Sequence, residues 1–307
     1  MQKDISSLNE RIRTDISDFV AESDREYNGK IDLIAEDILA HRHERPIILI
    51  SGPSGSGKTT SALALEKYLD EHGCETHTLS LDNYFRPILG EDKKLLEEGK
   101  IDLESPERVD APFLNEQLQS IVDCKPVLLP RYDFRKSDRV FRKDDFIRKD
   151  GDLVILEGVH SLNPDVITIP DNECSKIYVS VRTRISDGDF VLHPSYIRLM
   201  RRLIRDSQHR GRSFEYTINM FRSVEEGEEK YIMPFKRRAT HNIDTFISYE
   251  VNAYKRFLSE GLRALKDNET AKRLLRILDR SEPVPEQAIP KNSLIREFIG
   301  GSAFNYR

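Results

Sequence analysis

Eight consecutive residues, Gly52-Pro53-Ser54-Gly55-Ser56-Gly57-Lys58-Thr59, satisfy the spacing G-x-x-x-x-G-K-[ST] without a mismatch. The chemistry that needs this pattern is a grip on a phosphate chain. Glycines at 52, 55 and 57 let the backbone turn tightly and bring its N–H groups up to phosphate oxygens. A helix beginning at the end of such a loop aims its unpaired amides, including that of Thr60, and its positive dipole end at the same anion. Lys58 would then reach the β- and γ-phosphates, and the Thr59 hydroxyl would serve a magnesium ion. The stretch Gly52 to Thr60 reads as a nucleoside-triphosphate site.

Two acids and a run of arginines could act on phosphates held there. Asp82 follows the alternating stretch Glu75–Leu81, and Glu157 closes the apolar run Leu153-Val154-Ile155-Leu156. In open α/β sheets ligands sit beyond the carboxyl ends of the strands, so both carboxylates should face the phosphates. There they can orient a hydroxyl nucleophile as a base, or hold Mg²⁺ directly or through water. Arg198, Arg201, Arg202 and Arg205 fall at i, i+3, i+4 and i+7 and would share one helix face. Four like charges on one face repel unless an anion neutralises them. Arg210 and Arg212 flank Gly211 as a hinge. Residues 195–215 therefore read as a lid that closes on the nucleotide and stabilises charge on the transferring phosphoryl group.

The elements that must position these residues follow from periodicity. Ile47 to Ile50 read as a buried parallel strand, and Ala62, Leu63, Leu65, Tyr68 and Leu69 as an amphipathic helix after the loop. Further strands are expected at 75–81, 126–129, 153–156, 176–181 and 243–248, with helices at 111–122, 195–208, 216–235, 250–266 and 270–279. Residues 131–151 read as a hairpin or loop, and Gly90 to Gly99 as charged surface. Strands alternating with helices imply an α/β fold, a mostly parallel sheet with helices on both faces. Residues 1–45 form a helical N-terminal extension with stripes at Ile5, Leu8, Ile12, Ile16, Phe19 and at Ile31, Ile34, Ala35, Ile38, with the break expected at Gly29. The extension packs beside the main domain or, on the sharper reading, serves as a dimerisation arm of a homo-oligomer. The main domain spans 46–280. The tail 281–307 carries Pro283, Pro285 and Pro290, then a short docking helix capped by Asn292 or Ser293 and stopped by Gly300.

Composition narrows the class. With 48 basic and 53 acidic residues the net charge is −5, so nothing suggests a general binder of nucleic acid or membrane surface. Three widely spaced cysteines, without C-x-x-C, read as reduced thiols and point to a cytoplasmic protein. No apolar run of 18 residues is present.

Taken in order, GPSGSGKTT (52–60), SLDNYF (80–85), LPRYDFRKSDR (129–139), VILEG (154–158) and RLMRRLIRDSQHRGR (198–212) resemble the uridine kinase and phosphoribulokinase family of P-loop kinases. EGVHSLNP (157–164), SVEEGEEKYIMPF (223–235) and NSLIREFIGGS (292–302) resemble a bacterial uridine-kinase-like branch. The resemblance implies the P-loop NTPase fold, ATP as donor, and transfer of its γ-phosphate to a primary alcohol. It implies Asp82 as base, Thr59 and Glu157 (with Asp82) serving Mg²⁺, and Arg202, Arg205, Arg210 and Arg212 around phosphates and acceptor. Tyr84, Tyr132 and Asp133 would lie near that acceptor, as would Glu104, with His160 a further candidate. Leu103, Ser137 and Met220 stand where the family's pyrimidine kinases carry an aromatic ring, a histidine and a glutamine.

The expected function is an ATP-dependent kinase acting on a small-molecule alcohol, a uridine- or cytidine-type nucleoside first, with its 5′-monophosphate as product. Another nucleoside, a sugar or a polyol is the same-class rival. An adenine-nucleotide switch without an acceptor is the rival from another class.

Overall fold

The computed structural model of the chain describes residues 1–98 and 102–306. The N-terminal part comprises β1 (Gln2–Asp4), α1 (Ile5–Thr14) and α2 (Ile16–Ala40). The phosphate-loop unit follows as β2 (Ile47–Ser51), α3 (Lys58–Glu71) and β3 (Thr76–Ser80). After it come α4 (Glu91–Glu97), α5 (Ala111–Val122), the hairpin β4 (Pro130–Asp133) and β5 (Asp138–Phe141), β6 (Leu153–Glu157) and β7 (Cys174–Ser180). A second hairpin, β8 (Arg184–Asp187) and β9 (Phe190–Leu192), leads into α6 (Pro194–Arg210) and α7 (Phe214–Tyr231). The chain closes with β10 (His241–Asp244), α8 (Glu250–Ala264), α9 (Glu269–Arg280) and the single turn α10 (Arg296–Ile299).

Five strands pair in the order β10-β7-β2-β6-β3, all parallel. Successive side chains of a strand point to opposite faces, and this sheet uses both. Ile48 and Ile50 join one apolar cluster with α2, α3, α6, α8 and α9, while Ile47 and Leu49 join a second with α5. That accounts for the unbroken apolar reading of β2: no side of it meets water. The expected α/β architecture is the one observed.

The N-terminal helices differ in detail from expectation. The break lies at Asp15, not Gly29. Asp15 has an extended backbone, and its carboxylate takes the Asp18 N–H, capping α2. Gly29 lies inside α2, where a glycine costs about 1 kcal/mol that tertiary burial overrides. Ile5, Leu8, Phe19, Tyr27, Ile31 and Ile38 are buried in the same cluster as the sheet, so the stripes that suggested a dimerisation arm are spent within this chain. β1 also pairs parallel with β8, which closes the extension onto the domain.

Two other differences concern strands. Residues 131–151 do contain a hairpin, but the strand expected at 126–129 begins only at Pro130, and Val127 makes an isolated bridge to Phe146. The β8–β9 hairpin was not anticipated. In the Gly90 to Gly99 stretch, Gly90, residues 92–95 and Glu98 are exposed and the chain forms α4, while Gly99 lies outside the described residues. Among the described residues no helix is long and apolar enough to cross a membrane.

Candidate active site

The phosphate loop leaves β2, the middle strand, and runs into α3. Gly52 sits at φ +156° with the Val179 carbonyl oxygen 2.0 Å from where a Cβ would stand, so only glycine fits. The outer face of the loop rests on α6. Arg198 donates to the Ser54 carbonyl (3.3 Å), Arg201 to the Gly55 carbonyl (3.2 Å), and Arg202 to the Ser54 hydroxyl. The Thr245 hydroxyl holds the Ser56 carbonyl at 2.6 Å. With its carbonyls tied behind it, the loop keeps N–H groups for an anion, apart from that of Ser56, which donates to the Pro53 carbonyl at 3.2 Å. Lys58 starts α3, and its Nζ donates to the Pro53 carbonyl at 3.2 Å.

Register then brings the two acids together. Ser80, the last residue of β3, pairs with Glu157, the last of β6, and Asp82 follows in the short 3-10 turn 81–84. Gly158 admits the turn: a Cβ there would meet Leu81 at 2.4 Å. Burial pushes the Asp82 carboxyl upward and the Lys58 ammonium downward, each partly restored by the other's charge. Glu157 is lifted to about 7, by burial first, with Lys58 pulling down and Asp82 pushing up. The native state thus holds the Glu157 proton more tightly than the unfolded chain, whose carboxyl titrates near 4.5. Its contribution to stability is present below pH about 4.5 and lost as pH rises through about 7. Relative to Glu157→Gln, the ligand-free protein should lose stability over that window, read as a falling urea midpoint. A flat difference between the two proteins would contradict the assignment.

The arginines do not act as one face. Arg201 is fully buried and pairs with Glu250 through Nε (2.8 Å) and Nη2 (3.0 Å), and Arg198 pairs with Glu228 at 2.7 Å. Both are structural, because their fixed carboxylate partners sit behind the helix. Arg202, Arg205, Arg210 and Arg212 instead gather round one carboxylate, Asp206, at 4.0, 3.0, 3.4 and 3.8 Å. Asp206 is buried and was not singled out from the sequence. One acid among four guanidinium groups leaves a strongly positive centre. Burial, reinforced by Arg205, brings Arg202 down to about 10, and the Asp82 charge reaches Arg210. The buried Nε of Arg202 has no hydrogen-bond partner among the described residues. Eleven residues of α6, from Pro194 to Asp206, are buried, so any lid motion is confined to its end near Gly211.

The acceptor residues divide. Glu104 converges on the site: burial raises its carboxyl, and the charges of Arg202, Lys58 and Asp82 act on it. It is held close to α7, where a Cβ on Gly227 would meet the Glu104 Cβ at 2.7 Å. His160 is buried, with its ring 6.3 Å from Tyr231. Burial brings its imidazole down to about 4, so it is neutral at pH 7, and Nδ1 finds no hydrogen-bond partner among the described residues. Tyr84 is not brought into the site. Its ring lies in the second core cluster and its hydroxyl donates to Gln117 at 3.0 Å, because the side chain turns inward from the 81–84 turn. Asp133 caps its own hairpin turn, accepting from the Arg135 and Lys136 N–H groups. Tyr132 is buried edge-on between Phe85 and Phe134, with Arg108 3.5 Å from its hydroxyl. Leu103 and Met220 are exposed, and Ser137 occupies the β4–β5 turn at φ +54°.

No group of three or more His, Cys, Asp or Glu is arranged as a metal cage among the described residues. The candidate donors are two carboxylates, Asp82 and Glu157, at neighbouring strand ends, with the hydroxyl of Thr59, the second residue of α3. All-oxygen and few in number, they fit Mg²⁺, which relies on water and substrate phosphates for its remaining ligands.

A parallel sheet with a phosphate loop after its middle strand, acids at two neighbouring strand ends and a gathered arginine centre define a P-loop kinase. The chain belongs to the Phosphoribulokinase / Uridine kinase family, whose model matches residues 47–252. It is 34% identical to a uridine kinase of Lactobacillus helveticus over 199 residues, 64% of this chain and 85% of that protein. It is likewise 34% identical to a uridine kinase of Staphylococcus aureus over 197 residues, 63% of this chain and 84% of that one. A D-glycerate 3-kinase from Cryptococcus neoformans superposes with a TM-score of 0.47 at 18% identity, over 67% of this chain and 88% of that one, too loosely to support an argument. The protein is a phosphotransferase acting on a hydroxyl group, with ATP as the donor the family implies.

Proposed function

We propose that the protein phosphorylates the primary hydroxyl of a nucleoside of the uridine or cytidine type, with Mg-ATP as donor. The observation that carries this reading is the meeting of Asp82, Glu157 and Lys58 beside the Asp206-centred arginines, all beyond the carboxyl ends of β2, β3 and β6. Phosphoryl transfer passes through a loose transition state, so positioning and charge stabilisation supply most of the rate. The loop amides of Gly52 to Thr60 and Lys58 hold the triphosphate. Thr59 and Glu157 would hold Mg²⁺, which neutralises charge on the β- and γ-oxygens when bound. Asp82 orients the acceptor hydroxyl and takes its proton, a role suited to a carboxyl whose proton affinity burial has raised. Arg205 faces charge developing on the transferring group, and Arg210 and Arg212 brace the nucleotide. Arg202, Glu104 and the neutral His160 line the acceptor side.

A second reading keeps the chemistry and changes the acceptor. It is favoured by Leu103 and Met220, exposed where base-reading groups were expected, and by Ser137 in a turn. ADP release from Mg-ATP, measured with uridine, cytidine, other nucleosides and polyols, separates the two. Stimulation by uridine or cytidine alone supports the first reading, and stimulation by another alcohol only supports the second. ATP binding with no stimulation by any alcohol would leave a nucleotide switch.

A further inference from the structure

The C-terminal segment, outside the family-matched stretch, reaches the start of α3. Lys58, Thr59 and Thr60 are the first residues of that helix, and their N–H groups lack intrahelical partners. These are the donors a phosphate chain would take. One is already engaged. The Thr60 N–H donates to Glu297 Oε2 at 3.3 Å, and the Thr60 hydroxyl donates to the same oxygen. The Tyr306 hydroxyl closes the group, 3.0 Å from Thr60 Oγ1. The Glu297 charge also acts on Lys58 and on Glu157.

The segment that carries Glu297 is firmly seated. Leu294 lies 2.9 Å from where a Cβ on Gly57 would stand, and the Phe298 ring lies 5.2 Å from the buried Arg201 guanidinium. Leu294, Ile295 and Phe298 are fully buried, and Arg296 ties the turn to the carbonyls of Glu286 and Ile289. Ser293 donates to Asp24 at 2.8 Å. Between Ser293 and Ile299 the Glu297 side chain alone is half-buried and the rest are buried, so it can swing away while its flanks stay in place.

We infer that Glu297 is a built-in competitor of the donor nucleotide: its carboxylate occupies the phosphate position at the N-terminus of α3 and sets the affinity for the triphosphate. The inference rests on the phosphate-loop reading of the donor site. A triphosphate entering that site meets a like charge and must take the Thr60 N–H from it. The anchored segment makes this a side-chain exchange, with no loss of core.

The test is direct binding of ATP, and of inorganic tripolyphosphate as a base-free probe, to the full chain by calorimetry without acceptor. Glu297→Gln keeps an acceptor oxygen for Thr60 and removes the charge. Both ligands should then bind roughly 3- to 30-fold more tightly, the range expected for a charge at a helix N-terminus, with adenosine unaffected. Glu297→Asp, which withdraws the charge from Thr60 but keeps it on the segment, should fall between, and matching thermal melts would show both variants folded. Unchanged affinity in folded Glu297→Gln overturns the inference alone. Weaker binding also overturns it and makes Glu297 a ligand of the nucleotide. If neither the native chain nor the variants bind either probe, the donor-site reading falls and takes the inference with it.

Discussion

Asp82→Asn should lower turnover on the order of 10²- to 10⁴-fold, the usual range for loss of a general base, while leaving ATP affinity nearly unchanged. Asparagine keeps the shape of the side chain and its place in the 81–84 turn, so the fold is not at stake. What it loses is the ability to accept a proton and the negative charge next to Lys58. On the proposed reading the loop amides and Lys58 hold the phosphates, and Thr59 and Glu157 remain to serve Mg²⁺ when Asp82 is replaced. The acceptor hydroxyl, by contrast, loses the group that would align it and take its proton as the bond forms. The comparison should be made on turnover at saturating ATP, with nucleotide binding measured separately. Near-normal turnover in Asp82→Asn would remove Asp82 from the base role and pass it to Glu157 or Glu104, the half-buried acids on which the Lys58 charge also acts.

How much of this site was legible in the sequence depended on how local its parts are. Lys58, Thr59, Asp82 and Glu157 could be named because each sits in a short motif at the end of a strand, and a parallel sheet brings strand ends together. Arg202, Arg205, Arg210 and Arg212 were legible as a cluster, but Arg198 and Arg201 were not separable from them. Helical spacing gives a common face and says nothing of Glu228 and Glu250, which arrive from α7 and α8. Asp206 was overlooked beside so many cations, though a lone acid one position from Arg205 is the kind of residue that four converging charges require. Tyr84 was misplaced because its motif implied a shared destination, whereas the turn sends Asp82 to the cleft and Tyr84 to the core. Glu297 could not be read at all, for it lies 237 positions from Thr60.

The same limit applies to the fold. β2 and β6 were legible because burial on both faces leaves continuous apolar runs; β3 showed as an alternating stretch, and the polar β10, His241–Asp244, overlaps the strand expected at 243–248 only in part. β8 and β9 were not legible, being four and three residues long, although Asp187-Gly188 at the end of β8 is a hairpin turn signal. The break at Asp15 was missed because the stripe through Ile12, Ile16 and Phe19 continues across it, and the cap there is a single side-chain hydrogen bond.

The pair most expensive to break lies behind the phosphate loop. Arg201 and Glu250 are both fully buried, and between them they satisfy the Gly55 carbonyl, the Thr245 carbonyl and the Ile247 N–H. Replacing Glu250 by Gln leaves a guanidinium in the core without its counter-charge, and Arg201→Met leaves the carboxylate in the same state. Breaking a buried pair from one side costs about 3–5 kcal/mol, so either change should shift the urea midpoint strongly downward. Arg201→Met should do more, since it also unties the Gly55 carbonyl and lets the loop relax, raising the apparent dissociation constant for ATP. Removing both charges together, as Arg201→Met with Glu250→Met, should recover part of the stability but not the ATP affinity. That split separates a pair that merely fills the core from one that sets the loop. A single substitution costing under about 1 kcal/mol, the range of an exposed pair, would show that the buttress is dispensable. Recovery of nucleotide affinity in the double variant would show that the loop holds its shape without it.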